Sequence, residues 1–269
     1  MASCSGNCSN CSADCKDRDL RLPQGAFSNV KNVIGVVSGK GGVGKSLVTS
    51  LLATETRARG FETAILDADV TGPSIPRSFG LFSHAEGDER GLLPSVTQTG
   101  VKVMSVNLLL EKEDQPVVWR GPVVSGAIQQ FWQEVVWDDV DYMFVDMPPG
   151  TGDVQLTVFQ SLPVNGIVIV TTPQDLVNMI VKKAYNMAKL MNIPVLGIIE
   201  NMSYLECPDC GKKISVFGES RLEKVAAELD VPILARLPIR PAASGMIDHG
   251  DVESVNMPEI SAAVDQLTK

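Results

Sequence analysis

The chain has 269 residues, 44% of them hydrophobic and 20% charged, with a formal net charge of −9. That length suits one large α/β core, and the acidic balance, with no visible basic patch, opposes non-specific binding to nucleic acid. No window approaches the ~20 apolar residues of a membrane span and residues 1–30 lack the apolar run of a signal peptide. The expectation is therefore a cytoplasmic protein with no membrane or nucleic-acid partner.

Residues 1–30 are rich in Ser, Asn, Asp and Cys and carry few large apolar side chains, too few to order the segment without a bound metal. They read as a tail, followed by one domain over residues 31–269. Within that domain a strand is expected over 33–38, a helix from near Gly44 to Arg59 and a strand over 63–66 ending at Asp67. Residues 82–99 read as an irregular connection. A strand over 101–106, a helix over 124–136, a strand over 142–145 ending at Asp146 and a strand over 166–170 follow. The remaining pattern is a helix over 176–190, a strand over 195–199, a helix over 219–229 and a short strand over 233–235. Short Val/Ile-rich strands alternating with helices predict a doubly wound, mainly parallel sheet covered by helices on both faces, with function at the strands' carboxyl ends.

The run Gly39-Lys40-Gly41-Gly42-Val43-Gly44-Lys45-Ser46 sits at the first of those ends. Its glycines let successive N–H groups turn toward phosphate oxygens, and the helix that follows adds positive dipole, so a nucleoside triphosphate such as ATP is expected there. Lys45 would meet the β- and γ-phosphates and the Ser46 hydroxyl would ligate Mg²⁺. Lys40 is a second lysine at the loop mouth, suited to reaching a nucleotide held by a partner.

Two further strand ends are acidic. Asp67 and Asp69 would repel a triphosphate unless one helped to hold hydrated Mg²⁺ and the other, Asp69, oriented the attacking water; the alternative is a pair of turn caps. Asp146, before Met147-Pro148-Pro149-Gly150-Thr151-Gly152-Asp153, is the expected second Mg²⁺ support, with the Pro-Pro-Gly segment as a γ-phosphate-sensing switch. Asn201, after the strand over 195–199, reads either as an adenine-recognising amide or as a turn residue.

Six cysteines fall in two clusters, which in a reducing compartment favours metal or cluster ligation over disulfides. Cys207 and Cys210 supply two thiolates where zinc or an iron–sulfur cluster wants about four. A symmetric homodimer would complete the set on its two-fold axis; a zinc knuckle completed by the tail and a redox pair are the alternatives. Cys4, Cys8, Cys11 and Cys15 are spaced closely enough for one chain to wrap a four-thiolate iron–sulfur or zinc site, or to remain reduced thiols. His84 and His249, the only histidines, support no Ser–His or Cys–His arrangement.

Taken together, Lys40 inside the loop, Asp67-Ala68-Asp69 with Gly72-Pro73-Ser74, the segment from Asp146 to Asp153, Thr172-Pro173-Gln174, Glu200-Asn201-Met202-Ser203 and Cys207-Pro208-Asp209-Cys210 resemble the Mrp/ApbC-type ATPases of the deviant Walker A group. Trp119-Arg120-Gly121-Pro122 and Ser125-Gly126-Ala127-Ile128 fit the same family. The resemblance implies a homodimeric P-loop ATPase that binds a [4Fe–4S] cluster between protomers and passes it to apo iron–sulfur proteins. It also implies that Lys40 touches the partner's nucleotide, Lys45 and Ser46 serve the phosphates and Mg²⁺, and Asp69 serves the hydrolytic water. The tail is more like that of members with an N-terminal four-cysteine cluster, though its spacing is tighter, and Thr71 replaces an expected aromatic residue. Two other classes compete. One is a MinD- or ParA-like positioning ATPase with a structural zinc site, whose membrane form would want a basic face that residues 260–267 lack. The other is an electron-transfer protein like the nitrogenase iron protein, which would place its cysteines in two separate loops.

Overall fold

The structure, a computed structural model, describes residues 20–69, 74–110, 121–150, 152–174 and 177–269. Cys4, Cys8, Cys11 and Cys15 lie outside the described residues, as do Thr71, Gly72, Pro73, Trp119, Arg120 and Thr151. The strands are β1 (Ser28–Val37), β2 (Thr63–Asp67), β3 (Gly87–Asp88), β4 (Gly91–Leu92), β5 (Ser95–Val96), β6 (Lys102–Ser105), β7 (Asp138–Asp146), β8 (Gly166–Thr171), β9 (Val195–Glu200), β10 (Leu205–Glu206), β11 (Lys213–Ile214) and β12 (Ile233–Arg236). The helices are α1 (Lys45–Ala58), α2 (Ser74–Ser78), α3 (Gly121–Glu134), α4 (Asp153–Ser161), α5 (Val177–Leu190), α6 (Leu222–Leu229), α7 (Pro241–Asp248) and α8 (Ser261–Leu267).

Eight strands form one sheet in the order β12-β9-β8-β1-β7-β2-β6-β5. Its pairings are parallel except that of β5 with β6. Every residue of β2 and β8 is buried, as is the second half of β1, because a parallel sheet has helices on both faces. One apolar layer holds Phe131, Trp132, Trp137 and Met143 beneath α3 to α6; the other holds Leu51, Leu52, Ile65 and Phe144 beneath α1 and α8. Register then aligns the acidic strand ends: Asp67 pairs with Asp146, and Asp146 with Val36. The phosphate loop leaves β1 at that same edge.

The sheet confirms the doubly wound architecture, with several local corrections. β1 starts at Ser28 and β7 at Asp138, both earlier than expected, since their first turns of strand are polar and pair with each other, Ser28 opposite Asp138. The connection over 82–99 contains the β3–β4 hairpin and the edge strand β5. Helix α3 runs from Gly121 to Glu134 and α6 starts only at Leu222, where Ser220 Oγ accepts from the Leu222 N–H at 3.1 Å. Engagement with the domain also begins within the segment assigned to the tail: Leu22 N–H donates to Ser161 O at 2.7 Å, and Trp132 Nε1 donates to Leu22 O at 3.1 Å.

That last bond predicts the behaviour of a conservative variant. Trp132→Phe keeps an aromatic ring in the core but leaves the Leu22 carbonyl without its indole donor, and is expected to cost about 1–3 kcal/mol. Urea unfolding checks the loss, and amide exchange should quicken at Leu22 first.

Candidate functional site

The loop between β1 and α1 closes through two glycines in the left-handed region, Gly42 at φ 77° and Gly44 at φ 78°. Gly44 is the residue preceding α1, and no side chain caps that helix end, so its first N–H groups remain for an anion. The loop lines a cleft of about 370 Å³ together with Asp69, Ser74, Ser78, Pro149 and Ile247, a volume within the ordinary range for small-molecule sites. Ile247, brought in by α7, had no signal in the sequence, since no helix was expected there.

Behind the loop, Asp146 is fully buried and heavily partnered. Ser46 Oγ donates to its Oδ2 at 2.6 Å, Thr49 Oγ1 donates to its Oδ1 at 2.8 Å, and the Lys45 ammonium lies 2.8 Å from Oδ2. Lys45 Nζ also lies 3.5 Å from Asp69 Oδ2 and 3.4 Å from Ser46 Oγ. Loop lysine, loop serine, Asp69 and Asp146 therefore converge, as the motifs require. Thr49 went unnoticed in the sequence, although it lies one helical turn after Ser46 on the same face.

Asp67, at the end of β2, makes two hydrogen bonds within this constellation. Its Oδ2 accepts from Ser105 Oγ at 2.8 Å and its Oδ1 from the Asp69 N–H at 3.0 Å, so among the described residues it braces the start of the Asp69 segment. Burial pushes its carboxyl well above the usual carboxylate range, and the neighbouring Asp146 pushes it further, against opposing pulls from Ser105 and Lys45. The residues fit a divalent cation: two carboxylates, Asp69 and Asp146, face one ammonium, which already sits between hard oxygen donors of the type that Mg²⁺ takes. Ser46 Oγ and Asp146 would hold the ion.

Asn201 is buried, and its Nδ2 donates to the loop carbonyl of Val43 at 2.9 Å. The amide expected to read adenine or shape a turn thus spends a donor on the loop itself. Contact is close enough that a Cβ at Gly44 would come within 2.2 Å of Asn201 Nδ2. Lys40 hydrogen-bonds Gln174 across the loop mouth. The segment after Asp146 is tied to the loop's root, with Met147 N–H donating to Val36 O at 3.1 Å and Gly150 N–H to Ser38 O at 2.9 Å. Gln155 Nε2 braces it by donating to Pro148 O at 2.5 Å.

Cys207 and Cys210 sit at the tip of the β10–β11 hairpin, beyond the carboxyl end of β9 and so on the same edge of the sheet as the cleft. Cys207 N–H donates to Lys212 O at 3.0 Å and Gly211 N–H to Cys207 O at 2.9 Å, with Gly211 in the left-handed region at φ 68°. The backbone N–H groups of Asp209 and Cys210, followed by the Cys210 side chain, hold the Cys207 thiol below its usual range. Such N–H donors favour the thiolate, the form that binds metal. Cys210 is exposed and Cys207 partly so. Among the described residues no third His, Cys, Asp or Glu joins them in a metal-sized group.

The Asp67 environment predicts a pH dependence for the nucleotide-free, magnesium-free protein. A carboxyl held above its unfolded value binds its proton more tightly when folded, so stability falls as pH rises from the unfolded value through the folded one. Asp67→Asn keeps an acceptor for the Asp69 N–H and cannot ionise. Melting temperatures measured between pH 4 and pH 8 (about the span of carboxylate linkage) should show the variant gaining on the wild type as pH rises.

A family model described as ParA: NUBPL iron-transfer P-loop NTPase matches residues 29–269. The iron-sulfur cluster carrier protein of Clostridium perfringens is 45% identical over 269 residues, covering 94% of this chain and 94% of that one. The protein of the same description from Methanocaldococcus jannaschii is 45% identical, over 93% of this chain and 90% of its own. Among solved structures, the nucleotide-binding protein of Archaeoglobus fulgidus in complex with ADP is 43% identical, with a TM-score of 0.76 over 84% of this chain and 88% of that one. MinD of Aquifex aeolicus, in its complex with MinC, reaches a TM-score of 0.64 at 19% identity over 88% and 95% of the two chains, a likeness of fold alone. From β1 to its carboxyl end, this chain belongs to the NUBPL iron-transfer family of P-loop NTPases.

Proposed function

We propose that the protein is an ATP-dependent iron–sulfur cluster carrier that holds a [4Fe–4S] cluster as cargo between two copies of itself and delivers it to apo iron–sulfur proteins. The observation that carries this reading is the half-site. Cys207, its thiol favoured as thiolate by neighbouring N–H groups, and Cys210 stand together at a hairpin tip with no third ligand among the described residues. Two such pairs related by a two-fold axis supply the four thiolates a cubane cluster takes. The hairpin geometry, with no helix beginning at Cys207, gives no support to the redox-pair alternative. The relatives described as iron-sulfur cluster carrier proteins add independent support.

The nucleotide cycle follows from the cleft. The N–H groups from Gly42 to Ser46 receive the phosphates, and Lys45 turns from Asp146 toward them as negative charge arrives. Bound Mg²⁺, held by Ser46 and Asp146, would neutralise charge developing on the phosphates. Asp69, partly exposed at the cleft wall, orients the attacking water and takes its proton. Lys40, at the loop mouth, reaches the partner's nucleotide when two copies close. Hydrolysis then separates two dimer states, and the cycle acts on the cargo by its different affinity for them. Cys4, Cys8, Cys11 and Cys15 form a separate four-thiolate site, holding iron–sulfur or zinc. The protein works in the cytoplasm.

Two experiments test this. Asp69→Asn should lower kcat for ATP hydrolysis by about 10²-fold or more with little change in KM; an unchanged kcat removes Asp69 from the chemistry. Anaerobic reconstitution of Cys207→Ala/Cys210→Ala should abolish the visible absorption of the bridging cluster and the cluster-dependent dimer seen by sedimentation, whereas a variant lacking the four tail cysteines should keep both. A colourless, zinc-loaded wild type would instead favour the zinc knuckle.

A further inference from the structure

We propose that Glu200 and Asn201 are positioning residues that couple nucleotide occupancy of the phosphate loop to the geometry of the cysteine hairpin. The inference rests on the carrier reading and adds the physical link between its two sites. On the loop side, Asn201 Nδ2 donates to Val43 O at 2.9 Å, and its N–H donates to Thr171 O at 2.8 Å. Val43 lies between the two left-handed glycines whose neighbourhood receives the phosphates.

On the hairpin side, Glu200 is fully buried at the end of β9. Ser203 Oγ donates to its Oε2 at 2.6 Å, Ser220 Oγ donates to its Oε1, and Arg236 Nε lies 3.5 Å from Oε2. Ser203 and Ser220 are the two ends of the excursion that carries Cys207 and Cys210. One carboxylate therefore ties both feet of the cysteine loop together. A buried carboxylate is costly unless its oxygens are partnered, and here the partners are those two feet and the strand that follows them. Ser220 Oγ also accepts from the Leu222 N–H at the start of α6, and Ser203 N–H donates to Leu237 O at 2.8 Å, which anchors the feet to rigid elements.

Adjacent residues at a strand end point in opposite directions, so Asn201 takes the loop and Glu200 takes the hairpin. A change at the Val43–Gly44 peptide must carry the Asn201 amide with it or break their 2.9 Å bond, and the close packing of Asn201 Nδ2 against Gly44 makes the two move against each other. Movement of the Glu200–Asn201 backbone alters how the Ser203 and Ser220 feet are held, and with them the spacing and orientation of the thiolates. By reciprocity, loading of the cluster must change nucleotide affinity by the same factor.

The test uses the full chain, reconstituted anaerobically with ferrous iron and sulfide, and follows loss of the cluster's absorption to an iron chelator with and without a magnesium-bound, non-hydrolysable ATP analogue. In the wild type the analogue should change the rate of loss by about five-fold or more. Ser203→Ala/Ser220→Ala should still bind the analogue, and its rate ratio should fall close to unity. A variant that keeps the wild-type ratio, or a wild type with no ratio, overturns the coupling. Because the double variant can loosen the hairpin as a whole, amide exchange on the unsubstituted, cluster-free chain provides a second reading. The analogue should slow exchange in the loop and also alter it across residues 203–220; protection confined to the loop overturns the proposal. A wild type that takes up no visible cluster counts against the carrier reading, and the exchange experiment still decides the link.

Discussion

The structure depends on one buried carboxylate. Asp146 ends the central strand β7 with no exposure to water, and it holds Lys45, Ser46 and Thr49 in a single constellation. An exposed pair such as Lys182 with Glu228 contributes about 0–1 kcal/mol. Stripping one partner from a buried pair costs about 3–5 kcal/mol, because the other charge is then stranded. Asp146 therefore organises the start of α1 before any ligand arrives. It also fixes the ammonium and hydroxyl beside the phosphate loop, so part of their ordering entropy is already spent.

Parallel topology multiplies the reach of this arrangement. Because β1, β8 and β9 are neighbours running the same way, the loop after β1 and the hairpin after β9 emerge on one edge, two strands apart. The acidic ends of β2 and β7 are placed there by register alone, Asp67 beside Asp146. Burial and, after it, the crowding of Asp146 both push the Asp67 carboxyl up. Buried, strongly perturbed carboxyls of this kind cluster at functional sites.

Much of this was legible in the residues. The glycine loop, its lysines and the acidic strand ends follow from short patterns whose chemistry demands particular residue types, and the short apolar runs of β2, β8 and β9 announce a parallel sheet. What escaped was set by tertiary contact. The polar openings of β1 and β7 pair only with each other, so neither shows an apolar run. Ser105, Ser203 and Ser220 are ordinary serines until the fold brings a buried carboxylate to each. Asn201 was placed correctly at a strand end, yet whether its amide faces a base or the Val43 carbonyl is decided by the distance between two loops that no local pattern encodes. Asp67 is expected at Mg²⁺ from its position, and its bracing of the Asp69 N–H is visible only in the fold.

The sheet's borders carry a last consequence. One border is β5, two residues long and antiparallel to its neighbour; the other is β12, four residues long and packed against α8. Strands so short offer few unpaired amides and carbonyls to an incoming chain, which guards against ribbon-like polymerisation. Self-association by sheet extension is thereby discouraged at both flanks.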